Sequence, residues 1–195
     1  MTTCYLITPL AKNFPIDRDA VYIGVDAGYR LIEEKGLTCL RKIGDFDSME
    51  GEAPQDAWVL PVQKDETDSQ VAAEWAIDQG YSPVILWGGL EGRLDHTLAN
   101  LLMAGWKYPQ LILQDENHKV ITLLEGEIEL EPEYRHLSFF ALEDTELSLA
   151  NVKYPVEHAL LSRQDIYAVS NSFLEGNARI SVEWGRVLCI QSQCR

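Results

Sequence analysis

Cysteines are few, and they are poorly placed for crosslinking. Only Cys4, Cys39, Cys189 and Cys194 occur in 195 residues, with no CxxC spacing among them. That argues against a zinc ribbon or a disulfide framework and for reduced thiols in a cytoplasmic protein. Basic residues are scarce as well. Sixteen Lys and Arg face 31 Asp and Glu, a formal net charge of -15. A phosphate backbone would be repelled, which speaks against nucleic acid as a partner. A small anionic ligand stays possible if a metal ion supplies local positive charge. No apolar run approaches the length of a membrane span. The opening "MTTCYLITPLAKN" has no basic leader and reads as a first strand, not a signal peptide. There is no internal repeat, and no Gly-Lys-Ser/Thr follows a glycine loop, so there is no P-loop.

What is present is an ordinary globular balance, 46% hydrophobic and 24% charged. The first half alternates strand and helix patterns. "TCYLIT", "AVYIGVDAG", "TCLRKIGDFDS", "DAWVLPV", "SPVILWGG" and "YPQLILQDEN" read as strands. "YRLIEEKG", "TDSQVAAEWAIDQG" and "LDHTLANLLMAG" read as helices, with Gly36 and Gly80 as stops. Such alternation predicts an α/β fold with a mostly parallel sheet over residues 1–117. From residue 118 to 195 the pattern becomes short strands separated by turns: "KVITLLEGEIELE", "HLSFFAL", "TELSLANV", "DIYAVSNSF" and "ARISVEWGRVLCIQS". This half reads as an antiparallel sheet or sandwich.

Aspartate is concentrated in the first half. Eleven of 13 lie in residues 1–117, and only Asp144 and Asp165 lie beyond. Four clusters carry possible chemistry. In "VDAG", Gly28 permits close backbone approach to a ligand and Asp26 can bond a hydroxyl or a metal-bound water; the alternative is that Asp26 caps the next helix. In "GDFDS", an extended backbone would point Asp45 and Asp47 the same way with Phe46 opposite. Two carboxylates on one side, at the carboxyl end of a strand, are a liability that Mg²⁺ turns into attraction. The alternative is a solvated turn with Asp47 or Ser48 as a cap. In "KDETD", Thr67 or Asp65 caps a helix, and a metal-ligand role explains the surplus of Asp65, Glu66 and Asp68. In "GGLEGRLDHTLAN", a glycine loop opens onto a helix, an arrangement suited to phosphate. Arg93 offers a planar fork, while Asp95, His96 and Asn100 sit in the helix it opens.

With "SNSF" at Ser170–Phe173, these motifs in this order and spacing resemble those of thiamin pyrophosphokinases. The resemblance runs from about Val21 to the end of the chain. It implies an N-terminal α/β domain and a C-terminal β-sandwich. The reaction it implies moves the pyrophosphoryl group of ATP to the hydroxyl of thiamine, giving thiamine diphosphate and AMP. It further implies Mg²⁺ on Asp45, Asp47 and Asp68, with Arg93 also catalytic. The nucleotide site would comprise Asp26, Gly28, Thr67, Arg93, Asp95, His96 and Asn100. Ser170 and Asn171 would contact thiamine, in a homodimer with shared active sites. Three features depart from the family's pattern. Ala27 and Glu91 stand where relatives often have Gly, and Trp184 reads as an ordinary sandwich aromatic. The rival readings are a pterin or other alcohol pyrophosphokinase, a haloacid dehalogenase-type phosphatase with Asp45 as nucleophile, and a nonenzymatic nucleotide-binding regulator. Met49 weighs against the phosphatase, because Thr or Val is usual there.

Overall fold

A computed structural model describes residues 1–47, 49 and 52–193. Ser48, one of the expected caps, and Cys194 lie outside the described residues. The chain divides into two compact units, Met1–Met103 with Gln110–Glu116, and Ala104–Pro109 with Asn117–Arg195.

The first unit contains β1 (Cys4–Ile7), β2 (Val21–Val25), α1 (Gly28–Glu34), β3 (Cys39–Gly44), β4 (Trp58–Val59), α2 (Asp68–Asp78), β5 (Val84–Trp87), α3 (Leu94–Leu102) and β6 (Leu111–Gln114). Every strand pair is parallel, in the order β6-β5-β1-β2-β3-β4. The short apolar runs become strands because a parallel sheet buries both faces. All four residues of β5 are buried, and Leu6, Ile23, Ile43, Leu86, Leu111 and Leu113 are among the largest fully buried side chains. Helix α2 packs on β1, β2, β3 and β5 through Ala72, Ala73 and Ala76, whose small side chains let the backbone approach. Gly36, at φ +68°, ends α1 in the left-handed conformation that suits glycine.

The chain runs outward from β1 through β2, β3 and β4, then returns to place β5 on the other side of β1. The direction of winding therefore switches between β1 and β5. In open α/β sheets, ligands bind at such a switch point.

The second unit contains β7 (His118–Leu123), β8 (Gly126–Leu130), β9 (His136–Ala141), β10 (Thr145–Ala150), β11 (Val156–Leu161), β12 (Asn171–Ser172), β13 (Ala178–Trp184) and β14 (Val187–Ser192). Its antiparallel strands run β12-β9-β14-β7 and β11-β10-β13-β8. Alternate residues of both layers meet in one core that includes Leu137, Phe139, Leu147, Leu149, Ile180, Val182, Val187 and Cys189. One strand was not anticipated from the sequence, and one expected strand is shorter. "VEHALL" is a strand, although Glu, Ala and Leu favour helix; pairing with β10 overrides that preference. "DIYAVSNSF" is a strand only at Asn171–Ser172. Trp184 is also not an interior aromatic. It is 44% exposed, and its indole N–H donates to Glu146 Oε2 at 2.9 Å.

Cys4, Cys39 and Cys189 are free thiols. Burial pushes Cys4 and Cys189 up to about 12, which keeps them as inert thiols. Among the described residues, no helix is long and apolar enough to cross a membrane.

Leu86 is fully buried at the centre of the parallel sheet. Leu86→Ala is expected to cost about 3 kcal/mol through lost burial and the cavity left behind. The check is a fall in the urea midpoint with little change in slope.

Candidate functional site

Three carboxylates converge at the carboxyl ends of β2 and β3 and the start of α2. Asp26, Asp45 and Asp68 each present an oxygen, all within 4.8 Å of one another. Local backbone geometry puts them there. Asp26 adopts φ +48°, which Asp tolerates better than most residues, and its N–H donates to Ile43 O at 2.8 Å. A Cβ on Gly44 would lie 2.0 Å from Asp26 Oδ1, so only glycine leaves room for that carboxylate. Asp68 is the first residue of α2, and Thr67 caps the helix by accepting from Gln70 N at 3.2 Å.

Asp45 and Asp47 do not lie on one side of an extended strand. Phe46 is left-handed, with φ +56°, and its ring is buried edge-on to Tyr29. The backbone turns at Phe46, so the alternation of an extended strand does not apply. Asp47 is exposed and lies outside the carboxylate group, and its N–H donates to Asp45 Oδ1 at 3.2 Å. Asp26 joins Asp45 and Asp68 instead. Asp65 and Glu66 stay exposed.

Lys64 lies against this group. Its ammonium donates to Asp45 Oδ2 at 3.0 Å and to Pro61 O at 3.1 Å. It also sits 3.1 Å from Asp68 Oδ1, off the line that a hydrogen bond requires. Charge balance is incomplete. Burial pushes Asp26 up to about 6, helped by repulsion from Asp68 and Asp45, while the Phe46 N–H and Lys64 pull the other way. Burial also raises Asp45, but bonds from Lys64 and the Asp47 N–H outweigh it and hold Asp45 below its usual range. Asp26 Oδ1 is buried and has no hydrogen-bond partner. Three converging oxygen donors, with Oδ1 of Asp26 and of Asp68 both buried and without a hydrogen bond, suit a hard cation such as Mg²⁺.

The glycine loop lies at the switch point. Thr8, just beyond β1, donates from Oγ1 to Gly88 O at 3.1 Å and accepts from Leu10 N at 3.2 Å. Gly88 has φ +83°, and a Cβ there would meet Thr8 Oγ1 at 2.4 Å. Asn100 is buried, and its amide donates to Gly89 O at 2.8 Å. It therefore holds the loop from inside. Gly28 has a packing role, since a Cβ there would lie 1.8 Å from Ile7 O. Arg93 caps the start of α3 and is 74% exposed on its side chain. Its fork binds Asp95, at 2.6 Å from Nη2 and 3.1 Å from Nε. His96 is exposed, and its backbone N–H donates to Asp95 Oδ1 at 3.0 Å. Thr8 and Lys64 had no role in the sequence reading. The available signals were a polar residue ending a buried strand and a cation four residues before an Asp.

In the second unit, Ser170 is left-handed, at φ +59°, and its N–H donates to Ser138 Oγ at 3.1 Å. Asn171 is buried. Its Oδ1 accepts from Tyr154 N at 3.0 Å and Ser172 N at 2.9 Å, and its Nδ2 donates to Tyr154 O at 3.0 Å. The side-chain amide thus imitates a strand partner for residue 154.

Fold and site first define a class: an α/β protein with a carboxylate cluster and a glycine loop at the carboxyl ends of parallel strands, where such folds bind ligands. The comparisons are narrower. The family model for the thiamin pyrophosphokinase catalytic domain matches residues 15–112, and that for the thiamin pyrophosphokinase vitamin B1 binding domain matches residues 125–187. The chain belongs to the thiamin pyrophosphokinase family, and its activity is that of a pyrophosphotransferase. A thiamine pyrophosphokinase of Bacillus subtilis is 29% identical over 90% of this chain and 89% of its own. The crystal structure of a Bacillus subtilis thiamine pyrophosphokinase superposes with a TM-score of 0.89 at 26% identity, over all of both chains. That of Geobacillus thermodenitrificans thiamin pyrophosphokinase gives 0.87 at 27%, over 98% of this chain and 97% of that one. The Candida albicans thiamin pyrophosphokinase, at 13% identity and a TM-score of 0.72, covers 98% and 89% and shares the fold.

Two outcomes follow from this geometry. With Asp26 raised to about 6 from an ordinary 3.8, the folded protein without metal binds the proton more tightly than the unfolded chain. Its stability therefore falls as pH rises from about 4 to 6, and the loss persists above that window. In EDTA, Asp26→Asn should raise the urea midpoint at pH 7.5 and change it little at pH 4; an equal gain at both would show that repulsion is not the cause. Asn171→Ala should lower stability by about 1–3 kcal/mol, because the backbone of residue 154 loses its partners. An unchanged melting temperature with a raised thiamine KM would instead make Asn171 a substrate contact.

Proposed function

We propose that Asp26, Asp45 and Asp68 hold Mg²⁺ while the chain transfers the pyrophosphoryl group of ATP to the hydroxyl of thiamine. The observation that carries this reading is the convergence of three carboxylate oxygens at the carboxyl ends of parallel strands, with Oδ1 of Asp26 and of Asp68 buried and without a hydrogen bond. Bound Mg²⁺ supplies charge neutralisation for phosphate oxygens. The family match favours thiamine as acceptor over a pterin, and transfer over hydrolysis or simple nucleotide binding.

The chain's own residues do the positioning. Thr8 and Asn100 fix the Gly88–Gly89 backbone from two sides, so the loop approaches phosphates without reorganising. Arg93 exchanges Asp95 for phosphate oxygens, which its planar fork grips in pairs. Asp95 presets the fork's orientation, and His96 lies beside it at the start of the same helix. Asp47 supports the site through its backbone N–H on Asp45. Thr67 orients α2 and with it Asp68. The thiamine hydroxyl oxygen bonds to the β-phosphorus and gives up its proton to solvent, the bond from that phosphorus to the α-phosphate oxygen breaks, and AMP leaves. Ser170 contributes to acceptor binding in the second unit, with Asn171 ordering the backbone around it. The working form is a cytoplasmic homodimer with shared active sites.

Incubation with ATP, thiamine and Mg²⁺ should yield AMP and thiamine diphosphate in equal amounts. Asp45→Asn should lower turnover by roughly 10²-fold or more, the scale of other lost electrostatic contacts in catalysis. Release of inorganic phosphate in place of AMP would identify a phosphatase. Normal turnover by Asp45→Asn at saturating Mg²⁺ would overturn the ligand set.

A further inference from the structure

We propose that Lys64 is a stand-in cation: its ammonium holds Asp45 and Asp68 together in the metal-free protein and must leave both before a divalent ion takes the same oxygens. The inference rests on the reading of Asp26, Asp45 and Asp68 as a divalent-cation site.

The distances carry the argument. Lys64 Nζ is 3.0 Å from Asp45 Oδ2 and 3.1 Å from Asp68 Oδ1, and the side chain is only 12% exposed. Asp45 and Asp68 are themselves 14% and 17% exposed, so solvent screens this contact poorly. Lys64 lies in the turn that leads into α2, and that turn brings its ammonium back to Asp68, the first residue of the helix. Pro61 O takes another ammonium proton and so anchors Nζ over the carboxylates. A hard divalent ion bonds carboxylate oxygens at about 2.0–2.6 Å. An ion on Asp45 and Asp68 would therefore face the ammonium across the same two oxygens, and the positive charges would repel.

The direction of exchange follows from charge. One ammonium hydrogen-bonds Asp45 and pairs by charge with Asp68, while Oδ1 of Asp26 and of Asp68 stay without a hydrogen bond. A divalent ion serves all three. Lysine suits this exchange because it carries a compact charge on a flexible stem, so the head can withdraw while the backbone stays put. A purely structural ion pair would have no reason to draw both its carboxylates from the cation site.

The test titrates the full chain with Mn²⁺, without ATP, and follows free Mn²⁺ by electron paramagnetic resonance. Thermal unfolding is recorded in EDTA and in Mn²⁺. Lys64→Met should bind Mn²⁺ about tenfold more tightly than wild type, within the range of coupling between two linked binding events. In EDTA it should melt lower than wild type, and Mn²⁺ should raise its melting temperature by the larger increment. Lys64→Gln, which keeps a donor for Pro61 O, carries the same expectation if the Met variant does not fold. Equal affinities and equal increments in variant and wild type would overturn the proposal while leaving the metal reading intact. Weaker binding by the variants would overturn it too, since Lys64 would then assist the ion. Absence of Mn²⁺ binding to any of the proteins would overturn both readings together.

Discussion

Repulsion among three carboxylates is the constraint on which the first unit's architecture depends. Oxygens within 4.8 Å of one another are close for charges of one sign. At an effective dielectric of about 20, each such pair costs roughly 3 kcal/mol or more. The fold answers with the Lys64 ammonium, with the Phe46 N–H directed at Asp26, and with a proton on Asp26 that is retained up to about pH 6. These remedies are partial, and a partial answer leaves affinity for a cation. A core that neutralised the group fully would bind none.

The parallel sheet makes the convergence possible. Asp26 and Asp45 follow adjacent strands, β2 and β3, so their carboxylates arrive at the same height. Glycine at position 44 clears the volume that Asp26 fills. On the other side of β1, the winding reverses and the Thr8 and Gly88 segments meet. A rigid scaffold thus sets the catalytic loops, while buried hydrogen bonds from Thr8 and Asn100 set the loop backbone. Arg93 and Asp95 stay exposed, and an exposed pair exchanges partners at small cost.

The second unit solves a different problem. Tyr154 lies outside the strands, and its backbone N–H and C=O still need partners. Asn171 resolves this by giving residue 154 the donor and acceptor that a neighbouring strand would provide. Trp184 is likewise placed by a polar contact, to Glu146, and not by burial.

The sequence by itself determined the order of strands and helices in the first unit, the change to antiparallel strands near residue 118, and the motif positions. Those features rest on hydrophobic periodicity and turn chemistry, which are local. Gly36 ended a helix and Thr67 began one for reasons visible within a few residues. Tertiary structure decided which carboxylates meet. Asp26 and Asp68 lie 42 positions apart and are joined by strand order and by α2 packing on the sheet, while one left-handed φ at Phe46 takes Asp47 off the alternation of an extended strand. Strand β11 was hidden because its residues favour helix and only pairing with β10 makes them extended. Lys64 was one basic residue in an acidic motif until the fold set its ammonium between Asp45 and Asp68. Charge interactions depend on distances between segments remote in the chain, and those distances exist only once the sheet has formed.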